Sequence, residues 1–146
     1  MPEPQTIERA REDAREGKSP STQAGEFVRE EIHHVREGKH GVRSPQQAIA
    51  IGLSKARRAG VKLGAPTGPS SLRKKAMQDE QAGEHRGQKI SQTRSRATEG
   101  ALRRESRKSA NSKALARQAK TAAAKRGKSA RSRAATKAAR TRKAHA

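Results

Sequence analysis

Residues 19–60 read SPSTQAGEFVREEIHHVREGKHGVRSPQQAIAIGLSKARRAG, and this stretch decides the fold. Two helix-start signals recur in it. Ser19-Pro20 opens one segment and Ser44-Pro45-Gln46-Gln47 opens another, each with a serine placed to cap free amides and a proline at the first helical position. Gln47, at the third helical position, completes a capping box. The first helix is expected over residues 20–37, stopping at Gly38. On a 3.6-residue period Ala24, Val28, Ile32 and Val35 form one stripe with Phe27 at its edge, while Glu26, Arg29, Glu30 and His33 face the other way. The second helix is expected over residues 45–59, with Gly60 as a left-handed cap and Val61 packing back on the last turn. Its stripe is Ala48, Ile49, Gly52, Leu53, Ala56 and Ala59, and the small residues at 48, 52 and 56 admit another helix at close range. The connection at residues 38–43 is short enough for an antiparallel helical hairpin.

Such a hairpin, at about 19–60, holds only about ten modest side chains, well below what stabilises a domain alone. A third helix from residues 72–85, with Leu72, Ala76 and Met77 on one side, or a second copy of the chain must complete it. A homodimer through the hairpin is the preferred expectation. Upstream, residues 5–17 read as a short charged helix with Glu8–Arg11 and Glu12–Arg15 at pairing distance. Ile7 is its only large apolar residue, so it has no face to bury and is expected to be a solvated leader. The chain divides into a charged leader helix (1–17), the hairpin domain (18–63), a Pro/Gly linker (64–71), a charged helical or partly disordered segment (72–105) and a basic low-complexity tail (106–146). Residues 87–93 read as polar and loose.

Composition bounds the fold class. The 146 residues include one phenylalanine, no tyrosine or tryptophan, and 29% apolar residues. So few bulky side chains cannot offset the entropy of ordering the whole backbone, which predicts a mainly α protein with extensive disorder. The charge is segregated. Residues 1–40 carry seven basic and nine acidic side chains, residues 41–72 five basic and no acidic ones, and residues 106–146 fourteen basic and no acidic ones, within a net charge of +21. In the tail, Arg94-Ser95-Arg96-Ala97-Thr98 returns as Arg131-Ser132-Arg133-Ala134-Ala135-Thr136, and Lys108-Ser109-Ala110 as Lys128-Ser129-Ala130. Alanine makes residues 112–126 and 130–143 candidate helices, but unopposed positive charge is expected to keep them flexible until phosphates relieve it.

The stretch Ser44-Pro45-Gln46-Gln47-Ala48-Ile49-Ala50-Ile51-Gly52-Leu53-Ser54-Lys55-Ala56-Arg57-Arg58-Ala59-Gly60, with the upstream residues 18–32, resembles a family of short basic bacterial proteins. Its members are left without a function or labelled DNA-binding on composition, and the likeness covers residues 18–63. The Ala/Lys/Arg tail is similar in composition to linker histones and the histone-like proteins of bacteria.

An unopposed cationic tail attracts polyanions, and each phosphate it neutralises releases condensed counterions. The expected function is therefore sequence-tolerant DNA binding, histone-like or nucleoid-associated. The tail residues expected to carry it are Arg107, Lys108, Lys113, Arg117, Lys120, Lys125, Arg126, Lys128, Arg131, Arg133, Lys137, Arg140, Arg142 and Lys143. Lys55, Arg57, Arg58 and Lys62 cluster at the end of the second helix, either as a phosphate-docking edge or as partners of the helix dipole. The scarcity of aromatic side chains argues against base stacking and the common RNA-binding sheet. Two rivals stand beside this reading: an RNA-binding or ribosome-associated protein, and an adaptor whose hairpin binds protein while the tail localises it.

With no cysteine there is no disulfide or thiolate site. His33, His34 and His40 read as surface histidines without supporting ligand spacing, so no metal and no cofactor are expected. Glu30-Glu31 and Asp79-Glu80 have no pocket to work in, and no phosphate loop, nucleophile elbow or dinucleotide fingerprint occurs, so no enzyme is expected. Residues 1–5 open no secretory signal and no window is apolar enough for a membrane span; a cytoplasmic protein at the nucleoid is the expectation.

Overall fold

Both start signals open helices. In the computed structural model, which describes residues 1–85 and 89–146, α2 spans Pro20–Glu37 and α3 spans Pro45–Arg58. Ser44 Oγ accepts from the Gln47 N–H at 3.2 Å, while the Gln47 side chain accepts from Arg43 N–H at 2.6 Å, one residue outside the capping-box position. Ser19 caps no amide; its hydroxyl lies 2.9 Å from Ser21 Oγ and 3.1 Å from Thr22 Oγ1. Each helix ends on a glycine at positive φ, 82° at Gly38 and 98° at Gly60. The bond from Lys39 N–H to His34 O and that from Val61 N–H to Ala56 O each turn the chain back over the last turn, as a Schellman end does.

The hairpin is antiparallel: Ala24 and Phe27 pack with Ala56, Val28 faces Gly52, and Val35 packs with Ala48. At the crossing a Cβ on Gly52 would stand 2.6 Å from Val28 Cα, so the backbones are as close as the small residues at 48, 52 and 56 allow. The expected stripe on α2 is rotated, however. Glu30, placed on the outer side, is buried, as is Glu31, while Val28 and Ile32 are only half-buried. The reason is a second neighbour. Helix α1, Pro4–Arg15, lies against α2 and covers the flank assigned to solvent.

The solvated leader is thereby corrected. Thr6 and Ala10 are buried, Ile7 packs against the core of Ala24, Phe27, Ala56 and Val61, and Arg9 pairs with Glu26 at 2.6 Å. Alanine and threonine suffice as a buried face when the neighbour comes close. Arg15 reaches Glu8 rather than Glu12.

Helix α4, Ser70–Glu84, packs on the other side of α3 after a helix-free stretch at residues 61–69. Ala76 is buried, but Leu72 and Met77, expected beside it, are exposed. The buried partner is instead Asp79, which accepts from Ser54 Oγ at 2.7 Å, Arg58 Nε at 2.8 Å and Lys75 Nζ at 2.7 Å. Burial opposes the Asp79 charge, but the bonds from Lys75, Ser54 and Arg58 outweigh it and hold the carboxyl below its ordinary value. Segments of the same chain thus cover both flanks of the hairpin.

Residues 87 and 88 of the stretch expected to be loose lie outside the described residues; from Ser91, which accepts from Arg94 N–H, the chain enters α5, Gln92–Arg103. The end of α5 and the segment after it dock on the hairpin turn: Gly41 N–H donates to Leu102 O at 2.8 Å and Val42 N–H to Ser106 O at 2.9 Å. Ala110, in a 3-10 turn at Lys108–Ala110, is fully buried with Val35, Val42 and Ala48. Residues 106–111 therefore belong to the folded body, and the tail proper starts at Ser112.

Extensive disorder is the expectation that fails outright. The described residues are 75% helical, in six α-helices and one 3-10 turn. Its tail is α6, Ser112–Ala144, capped by Asn111 Oδ1 at Ala114 N–H and broken only at Gly127 (φ 75°, ψ 164°). The two runs nearly coincide with the candidate helices at 112–126 and 130–143. The expectation overweighted repulsion. Like charges on a water-exposed helix cost a few tenths of a kcal/mol per pair, whereas twelve alanines and a length above about 15 residues favour the helix throughout.

Two glycines in the hairpin provide a matched test of the crossing. Gly25, with open space around its α-carbon, should accept alanine with a gain of about 0.5–1 kcal/mol, whereas Gly52→Ala should lower the melting temperature because α2 must move away. Thermal melts of both variants check this; equal gains would mean that the helices are not in contact at Gly52. Asp79 contributes to the acid limit. Its depressed carboxyl contributes stability that is complete above the ordinary aspartate range and lost as pH falls through its folded value. Asp79→Asn should therefore cost about 2 kcal/mol or more at neutral pH, and the gap to wild type should close in denaturant melts at progressively lower pH.

Candidate nucleic-acid interface

The cations at the end of α3 are engaged within the chain. Lys55 Nζ lies 3.0 Å from Glu30 Oε1 and 2.8 Å from Glu31 Oε2, between two buried carboxylates. Burial disfavours its charge, yet Glu31 and Glu30 together raise its pKa above the ordinary lysine value. Glu30 is the counterpart: burial opposes its ionisation, but Glu3 N–H and Lys55 hold its carboxyl below the usual range. Arg57 is itself buried with Nε 3.9 Å from Glu80, Arg58 binds Asp79, and Lys62 Nζ lies 2.7 Å from Glu84. Lys55, Arg57 and Arg58 stand in the last turn of α3, and Arg58 and Lys62 stay exposed, but all four are also paired with acids. They tie α2, α3 and α4 together, and the acids that receive them come from α2 and α4, which sequence spacing could not pair with α3.

The tail is arranged otherwise. Among the described residues none of its fourteen cations is paired with a carboxylate, and all are exposed. Arg107 and Lys108 sit on the docked segment; Arg107 lines a cleft of about 560 Å³ with Lys39, His40 and Arg103. The remaining twelve, from Lys113 to Lys143, project from α6, whose two runs have no buried residue. Thr121, Thr136 and Thr141 turn their hydroxyls back onto helix carbonyls, so the polar surface left to solvent is mostly lysine and arginine. The two runs together amount to about 50 Å of helix axis, with roughly one cation per 4 Å of it. Duplex DNA carries roughly one negative charge per 1.7 Å, so the helix is less densely charged than the polymer it would meet.

The histidines are not all on the surface. His33 is exposed, but His34 and His40 side chains are each 13% exposed and converge with Glu31. The spacing of Glu31 and His34, three residues apart on one helix, was visible in the sequence; His40 joins them only because the chain reverses at Gly38. No helix among the described residues is long and apolar enough to cross a membrane.

Residues 16–66, the hairpin and its flanks, match the model of a family of unknown function (DUF6496). No curated protein and no solved structure matches the chain. The hairpin is therefore similar to a described family without a described activity, and the helices around it, α6 included, lie outside that similarity.

Proposed function

We propose that the chain binds nucleic acid, DNA before RNA, through the phosphate backbone and with little regard to sequence, as a histone-like, nucleoid-associated protein. The observation that carries this reading is the division of charge. The cations at the end of α3 are paired with acids of the same chain, whereas α6 exposes twelve cations with no carboxylate partner among the described residues. Such a surface gains free energy from any polyphosphate by releasing condensed counterions. Of Gln46 and Gln47, the side chains best suited to reading base edges, Gln47 is bound to the Arg43 amide at the start of α3, and one glutamine alone supplies little sequence discrimination.

The test follows the fold. Removing 106–146 would strip Ala110 from the core, so the informative truncation ends at Asn111. Deleting 112–146 should abolish most duplex binding. If about eight cations engage phosphates, it should flatten the slope of log K against log salt by roughly 7 units. A tail permuted in order at fixed composition should bind nearly as well, and unrelated duplexes should compete equally. A truncation that keeps its affinity sinks the reading, and tighter binding of structured RNA than of duplex DNA at physiological salt would reassign the polymer.

A further inference from the structure

The turn between α2 and α3 brings three metal-binding side chains to one point. We propose that Glu31, His34 and His40 bind a single divalent transition-metal cation of the zinc class. One ligand atom from each lies within 4.8 Å of the others. Glu31 and His34 share a face of α2, and the left-handed Gly38 returns His40 to that face, with the two imidazoles edge to face at 82°.

The hydrogen bonding around the three favours a cation. His40 Nδ1 lies 2.9 Å from the Gly41 carbonyl, which only accepts, so Nδ1 carries the proton. His40 Nε2 then faces Glu31 Oε1 at 2.9 Å. Two acceptors at that distance repel unless a proton or a metal ion stands between them. Backbone pairing at the far nitrogen is what metal-bound histidines ordinarily have, because it fixes tautomer and ring orientation. His34 is oriented in a similar way, with Nε2 2.9 Å from Glu3 Oε1.

Glu31 is held for the role. Its side chain is 1% exposed, and Lys55 Nζ fixes Oε2 at 2.8 Å, which leaves Oε1 for the ion. Neither carboxylate oxygen has an aligned hydrogen-bond donor despite these short ionic contacts, an expensive state for a buried charge. With Glu30 balancing Lys55, the cluster keeps a net negative charge for a cation. Two histidines and one carboxylate suit zinc and its neighbours better than magnesium or calcium, which prefer oxygen. Ligands about 2.1 Å from zinc sit about 3.4 Å apart at a tetrahedral angle, so the Glu31–His40 contact would open by about 0.5 Å on binding. Of the three ligands, His40 also lines the cleft at the hairpin turn.

The experiment uses the full chain, stripped with a chelator and titrated with zinc chloride by calorimetry, and with cobalt chloride for its visible absorption. One ion per chain is expected, with affinity falling at least tenfold in His40→Gln and in His34→Gln and unchanged in His33→Gln. Circular dichroism checks that each variant is folded; should His40→Gln unfold, His34→Gln carries the comparison. Removing residues 112–146 should leave the affinity intact, which separates this site from nucleic-acid binding by the tail. Absence of stoichiometric binding to the wild-type chain, or equal affinity in the folded variants and wild type, overturns the site.

Discussion

Closeness of the α2 and α3 backbones at Val28 and Gly52 is the constraint on which the rest of the structure depends. The chain has one phenylalanine and otherwise small apolar side chains, so it cannot build a core by filling a wide gap between helices. It closes the gap instead. Ala24, Ala48 and Ala56 become fully buried only because nothing larger holds the helices apart. The same economy repeats at α1, where Ala10 and Thr6 form the buried face, and at α4, where Gly83 lies against the Arg57 carbonyl.

Close helices also bring charges out of water. Glu30, Glu31 and Asp79 are buried acids, each met by cations from another part of the fold. Desolvating such groups is costly, and the cost is offset only while every partner is present. The arrangement locks the hairpin to its neighbours and uses up the cations at the end of α3. It leaves Glu31 and His40 facing one another with one contact that only a proton or a metal ion satisfies.

Acids are found only up to Glu105. The body is therefore a place where opposite charges meet, and α6 is not. That helix needs no tertiary contact to form, because alanine loses no side-chain entropy in a helix and long exposed cations remain solvated. The lack of carboxylate partners for its cations among the described residues makes them available, which is the physical basis of the proposed phosphate binding.

Helix starts and stops at Ser44, Pro45, Gly38 and Gly60, the antiparallel hairpin, its small-residue crossing and the cationic tail were legible from local chemistry alone. Capping, backbone handedness, helix propensity and charge density are properties of a few adjacent residues, so sequence determines them. What only the tertiary structure decided is which polar residues became interior. Glu30 left the solvent face because α1 lies over it, Arg57 and Arg58 formed ion pairs with acids of α4, and Ala110 entered the core from beyond a segment read as tail. Burial and pairing of this kind depend on groups more than twenty residues apart in the chain, and no periodicity within a single helix encodes them.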